Sequence, residues 1–259
     1  MILESVVIVA FALLLDFLVG DPKTKYHPTA WMGKLIASLV PFTKSNSVRK
    51  ELIGGILLVS VIVVTVCTVL VVLDIGISLL TIDIVSLIVS IAVGSILLKT
   101  TIAIRGMQKH ALAVVDAVEK GDLGSARNHL SMIVKRDTKN LDKNHILSGV
   151  LESVSENTVD GITGPLFYYA IFGLPGAFVY RAINTVDSMV GYKTTLFKNV
   201  GWFGAKCDTV LNYAPSRLTG LVMILGALIL GYNWKESLYI MRRDSRKLES
   251  SNAGFPMAA

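Results

Sequence analysis

Apolar residues fall along this chain in long uninterrupted runs, not in the short alternations of a soluble protein. A helix of about 20 apolar residues crosses the hydrocarbon of a bilayer. Residues 2–20 meet that requirement, with Asp16 near one end. Residues 52–73 meet it with no charge before Asp74, and residues 75–98 meet it with Asp83 near one end. These runs predict three spans, the second and third forming a helical hairpin with a turn around Asp74–Gly76. Two later runs are less regular. Residues 161–180 carry Gly161, Gly164, Pro165, Gly173, Pro175 and Gly176, a density that predicts a broken or re-entrant helix. Residues 218–233 are apolar but fall short of a full span. Between residues 99 and 160 the pattern turns amphipathic. It predicts helices over 105–119 and 123–134, the first stopped by Gly121 and the second capped by Asp122.

The fold class expected is therefore all-α: a polytopic integral membrane protein with about three clear spans, two broken or re-entrant apolar segments and cytoplasmic amphipathic helices. Residues 1–259 are read as one membrane-embedded domain, with 99–160 as its main cytoplasmic segment. Composition agrees, since 53% of the residues are hydrophobic, 17% are charged and the mean hydropathy is +0.61, too little polar surface for a soluble domain of this length. The N-terminal run has no basic n-region and no clear cleavage site, so it is expected to be a retained span. Cys67 and Cys207 fit neither a disulfide framework nor a zinc spacing.

The net charge of +6 raises nucleic acid as a partner. The basic residues instead sit in loops flanking apolar runs, which argues for a lipid bilayer and against nucleic acid. Residues 51–98 hold no Lys or Arg, whereas the loop 23–50 holds six and 99–145 holds nine. By the positive-inside rule both loops are cytoplasmic, as is the basic stretch Lys235–Lys247. The runs 161–180 and 218–233 then either both cross or both turn back. The second case is favoured, because it puts every polar segment on the cytoplasmic face.

Several polar constellations flank the apolar runs. Gly20-Asp21-Pro22 followed by His27-Pro28 is a turn at the membrane surface that presents a carboxylate and an imidazole. Arg136-Asp137-Thr138 follows an amphipathic helix. Glu152, Glu156 and Asp160 recur at i, i+4 and i+8, with Ser153 and Asn157 between them. On a helix they share one face with no interleaved cation, which suits Mg²⁺, an ion that takes oxygen ligands and bridges to phosphates. Arg181, Asn184, Asp187 and Ser188 also share a helical face, and Lys193 follows. Arg and Lys suit phosphate, as a planar fork and as a point charge. Asp208, Asn212 and Arg217 precede the last apolar run. No Walker A loop, dinucleotide fingerprint, nucleophile elbow or Cys/His cluster is present in the sequence.

Together these segments resemble the CbiB/CobD family of cobalamin biosynthesis, the adenosylcobinamide-phosphate synthases. The matching pieces are GDPKTKYHPTAWMG, KRDTKNLD, ESVSENTVDGITGPLFY, YRAINTVDSMVGYK, DTVLNYAPSRLTG and SSNAGFPMAA, in the family's order. Thr209 stands where the family usually shows a second acid. Ser251-Asn252-Ala253-Gly254 stands where it usually shows Ser-Pro-Asn-Ala-Gly, and relatives typically continue through a further apolar stretch.

The resemblance implies a membrane-bound ligase that joins adenosylcobyric acid to aminopropanol or its O-phosphate as an amide, driven by ATP and Mg²⁺ through an acyl phosphate. Its implied partners are these small molecules and the bilayer, with a homo-oligomer or other corrinoid-pathway enzymes in addition. Its implied place is the cell membrane, multi-pass, with the active face cytoplasmic. On that basis Glu152, Glu156, Asp160 and Asp208 are the expected metal ligands. Arg136, Arg181, Ser188, Lys193, Asn212 and Arg217 are expected at the nucleotide. Asp21, His27, Arg136, Asp137, Arg181, Asn184, Asp187 and Lys193 are expected to be catalytic, with His27 as acceptor of the proton from the attacking ammonium. A regulatory or sensory membrane protein on the same scaffold, like the AmpE-like relatives, is the alternative. The dense acidic and Arg-Asn-Asp clusters favour the enzyme.

Overall fold

The computed structural model describes every residue except Met1, Lys193, Thr195 and Glu249. The described residues form helices and no strand. In chain order these are α1 (Ile2–Val19), α2 (Pro28–Thr43), α3 (Val48–Ser78), α4 (Asp83–Lys99), α5 (Ile104–Glu119), α6 (Leu123–Ser131), α7 (Lys143–Thr158), α8 (Gly164–Val190), α9 (Trp202–Leu211), α10 (Tyr213–Ile229), α11 (Trp234–Asp244) and the single turn α12 (Gly254–Met257). Among the described residues, four helical stretches are long and apolar enough to cross a membrane: Ile2–Val19, Val48–Ser78, Asp83–Glu119 and Lys143–Val190. Tyr213–Ile229 is apolar but shorter. The all-α polytopic fold read from the sequence is the fold found. The chain divides into two compact units, Met1–Ile102 with Gly164–Asn212 and Ala103–Thr163 with Tyr213–Ala259.

In the first unit, α1 packs along α4, while α2, α3, α8 and α9 enclose a core built on Ile36, Leu58, Ile62, Phe178, Ala182 and Val186. Large apolar side chains such as Phe17, Val64 and Val72 point away from that core and are exposed. Such a surface is costly in water and suits lipid. At 31 residues, α3 is about 46 Å long, more than the hydrocarbon thickness.

The hairpin turn lies elsewhere than the sequence suggests. Asp74 and Gly76 are inside α3, and the chain reverses between Leu79 and Ile82. A glycine costs a helix only about 1 kcal/mol, less than leaving backbone groups unbonded in lipid. At the true reversal, the Ser78 hydroxyl donates to the Ile75 carbonyl and the Ser86 hydroxyl to the Ile77 carbonyl, which satisfies oxygens freed at the helix end.

The break expected in 161–180 is present in α8. Gly173 sits at φ 65°, ψ −155°, two residues before Pro175. This is a left-handed conformation that only glycine adopts readily, and the proline that follows has no N–H to give a helix.

In the second unit, α5, α6 and α7 pack around Val114, Leu130, Ile146 and Val150. The expected boundary is where the sequence places it: Gly121 is at φ 75°, and the Asp122 side chain accepts the Ser125 N–H at the start of α6. Asp142 caps α7 in the same way through the His145 N–H. A π-helical turn, Val159–Thr163, ends α7. The segment 218–233 is mostly α10, followed by α11, which Asn233 caps.

Candidate functional site

Polar side chains gather in two places in the first unit. The first gathering is at the end of α1. Lys99, the last residue of α4, is 5% exposed, and its ammonium lies 2.9 Å from Asp21 Oδ1 and 3.7 Å from Asp16 Oδ1. His27 Nε2 is 3.9 Å from the same Asp21 oxygen. The His27 ring also caps α2, its Nδ1 accepting the Thr29 N–H at 3.2 Å. In the neutral ring the proton therefore sits on Nε2, facing Asp21, and the lone pair that the sequence reading reserves for catalysis is engaged with the backbone. Burial pushes the imidazole below its ordinary pKa. Asp21 opposes that shift, while Arg181 and Lys99 add to it.

The second gathering joins α8 to the end of α9. Asp208 accepts the Asn184 amide on one oxygen at 3.3 Å and the Asn212 amide on the other at 3.0 Å. The Tyr180 hydroxyl donates to Asn212 Oδ1 at 2.6 Å. That contact fixes which end of the Asn212 amide faces Asp208. The Tyr180 ring stacks on Tyr168, with centroids 5.3 Å apart, and a Cβ at Gly164 would overlap it. The shared face read for Arg181, Asn184, Asp187 and Ser188 lies on α8, with Asn184 buried and Ser188 exposed. Lys193 lies outside the described residues. Beside Asp208, burial and then the carboxylate push the Cys207 thiol above its ordinary pKa.

In the second unit, Arg136 crosses Gly149, where a Cβ would meet its guanidinium at 2.9 Å, and bonds Glu152 Oε2 at 2.7 Å. This pair is exposed. Asp137 accepts its own turn's Lys139 N–H, while Thr138 is buried and donates to the Arg127 carbonyl. Glu152 and Glu156, one turn apart on α7, line an open cavity of about 670 Å³ together with Asp244, Lys247, Ser250 and Met257. The acidic motif and the C-terminal motif thus share one wall. Asp160 falls in the π-helical turn, where α periodicity no longer applies. Arg217 is held between the rings of Tyr213 and Phe255, at 3.5 and 4.3 Å from their centroids, and donates to Asn252 Oδ1 at 3.3 Å.

Among the described residues, no three His, Cys, Asp or Glu side chains form a group that could hold a metal ion by themselves. Glu152 and Glu156 line one cavity, and Mg²⁺ commonly takes one or two carboxylates and fills its remaining positions with water and substrate phosphate, but both Glu152 oxygens are engaged here, by Arg136 and by the Ser148 hydroxyl.

Long apolar helices that carry polar clusters at and toward their ends define an α-helical membrane protein of the multi-pass class. The chain belongs to the CobD/CbiB family, since the family model described as "CobD/Cbib protein" matches residues 9–259. It is 39% identical over 257 residues to the "Probable cobalamin biosynthesis protein CobD" of Methanothermobacter thermautotrophicus, covering 99% of this chain and 82% of that one. It is 41% identical over 252 residues to the "Cobalamin biosynthesis protein CobD" of Leptospira interrogans, covering 97% and 78%. The protein of the same name from Geobacter metallireducens is 40% identical over 263 residues, covering 99% and 79%. No solved structure matches the chain.

Nothing in the sequence pattern gave Asp16, Lys99 or Tyr180 a role in the site. A lone lysine and a lone aspartate, each near the end of an apolar run, were the available signal, because such charges in membrane helices need partners.

Proposed function

We propose that this CobD/CbiB-family protein of cobalamin biosynthesis is a membrane-bound ligase. It would attach aminopropanol, or its O-phosphate, to the free carboxylate of adenosylcobyric acid. The observation that carries this reading is the family match along residues 9–259. The cavity walled by Glu152 and Glu156 agrees with it. A carboxylate does not acylate an amine unaided, because its oxygen is a poor leaving group. Phosphoryl transfer from ATP, as co-substrate, to that oxygen supplies one. The amine nitrogen then bonds the acyl carbon, phosphate departs with the C–O electron pair, and one proton leaves the nitrogen.

Such chemistry is served mainly by charge neutralisation and positioning. Mg²⁺, when bound, would neutralise phosphate charge, with Glu152 and Glu156 as its protein ligands. Arg136, Arg181 and Lys193 are assigned to phosphate oxygens. Asn184, Asp187 and Asp208 are assigned to the amine or to a second metal ion. His27 is assigned the departing proton, its half-buried ring being held below the ordinary imidazole pKa and able to accept one. Taking that proton at Nδ1 displaces the Thr29 cap. The active face is assigned to the cytoplasm, where the basic loops belong.

The test is one assay. Purified protein in detergent receives adenosylcobyric acid, aminopropanol phosphate and Mg-ATP, and the product is detected by mass. Amide formation that depends on all three is expected. ATP-independent product, or none, overturns the reading.

A further inference from the structure

An ammonium buried as deeply as that of Lys99 is tolerated only beside opposite charge. Its two carboxylates come from either side of the end of α1. Asp16 lies in the last turn and is fully buried, and Asp21 lies just beyond the helix. Between them Gly20, at φ 73°, donates its N–H to the Asp16 carbonyl at 3.0 Å and closes the helix. The cation therefore ties the turn after α1 to the end of α4, across 78 residues of sequence. The Asp21 oxygen that it holds is the oxygen nearest the His27 ring.

We propose that Lys99 is the positioning residue of the Asp21–His27 pair: clamped between Asp16 and Asp21, its ammonium holds the Asp21 carboxylate beside the His27 ring while offsetting that carboxylate's charge, and so governs the ring that amide formation meets. The catalytic half of this inference rests on the function proposed above. Lys99 touches no reacting atom in it. The charged groups that act on the ring are Asp21 from the loop after α1, Lys99 from α4 and Arg181 from α8. Asp21 favours the imidazolium, and the two cations oppose it, as does burial. Without Lys99 the Asp21 charge is no longer offset and the ammonium's own repulsion of the ring proton is gone, so the imidazolium gains.

Histidine titration followed by NMR tests this on the full chain in detergent, with the His27 signal assigned by its loss in His27→Asn. Two changes made together, Lys99→Met and Asp16→Asn, remove both buried charges and leave neither alone. His27 is then expected to titrate about one pH unit higher than in the wild type, with the acid limb of amide formation moving by the same amount. Lys99→Arg returns both to the wild-type value. Asp21→Asn, which leaves Lys99 beside Asp16, moves the His27 titration lower and serves if the double variant does not fold. An unchanged His27 titration in the charge-deleted protein overturns the proposal, as does a shifted titration with an unmoved acid limb. A wild type that makes no amide sinks the function proposed above, while the titration still decides whether Lys99 governs His27.

Discussion

The Tyr180 hydroxyl reaches Asn212 Oδ1 at 2.6 Å, and the Asn212 amide in turn reaches Asp208 at 3.0 Å. A phenol on α8 thereby sets the orientation of a carboxylate on α9. Tyr180→Phe keeps the ring stacked on Tyr168 and deletes only the donor. The expected cost is about 1–2 kcal/mol of stability, with the amide formation proposed above reduced about tenfold as Asp208 loses its fixed orientation. Thermal unfolding in detergent and the mass-detected assay measure the two effects separately.

Gly164 has the opposite role, since it makes room. A methyl group there overlaps the Tyr180 ring, and the stacked Tyr168 limits the ring's retreat. Gly164→Ala is expected to lower stability by about 1–3 kcal/mol, read as a lower unfolding midpoint. An unchanged midpoint means that the ring has somewhere else to go.

The lowered pKa of His27 makes stability depend on pH. Its folded value lies below the ordinary imidazole value of about 6.5, with burial as the main cause. The unfolded chain therefore takes up the proton first on acidification. The stability tied to the neutral ring is whole above about pH 6.5 and is lost as the pH falls from there through the folded value. His27→Asn keeps an acceptor at the α2 cap and removes the titration. The unfolding midpoint of this variant is expected to fall less than that of the wild type between about pH 6.5 and 5.5. Parallel curves for the two proteins refute this.

Arg136 separates function from stability. Its bond to Glu152 is exposed, and such pairs contribute about 0–1 kcal/mol. Arg136→Ala should leave the unfolding midpoint nearly unchanged while reducing amide formation about a hundredfold, if the guanidinium serves phosphate. A full-rate variant removes Arg136 from the site.

Arg217 should anchor the C-terminal segment. The flat guanidinium between two rings cannot be copied by an ammonium. Arg217→Lys is expected to cost about 1 kcal/mol and to speed hydrogen exchange over residues 250–258.

Much of this was legible in the sequence, and the exceptions share a cause. Periodicity and composition report on neighbours along the chain. They found the spans, the Gly121–Asp122 boundary and the break near Gly173. They misplaced the hairpin turn because Asp74 and Gly76 read as turn formers, whereas the helix holds through both. The i, i+4, i+8 count assumed an α-helix past residue 158, and the π-helical turn begins at Val159. Lys99 with Asp21, and Tyr180 with Asn212, are contacts between residues 78 and 32 positions apart. Local spacing carries no trace of them, although the isolated charges of Asp16 and Lys99 in apolar surroundings marked two of the participants.

The break in α8 has a consequence for how this polypeptide can vary. Everything from Leu174 to Val190, including Tyr180, Arg181 and Asn184, is aimed by the backbone at Gly173. Any residue with a Cβ would carry about 1–3 kcal/mol of strain there, or would straighten the rod and swing those groups off their targets. The heading of that polar face is thus governed by a position with no side chain of its own, and damage at that point would reach Asp208 without altering a single atom that touches it.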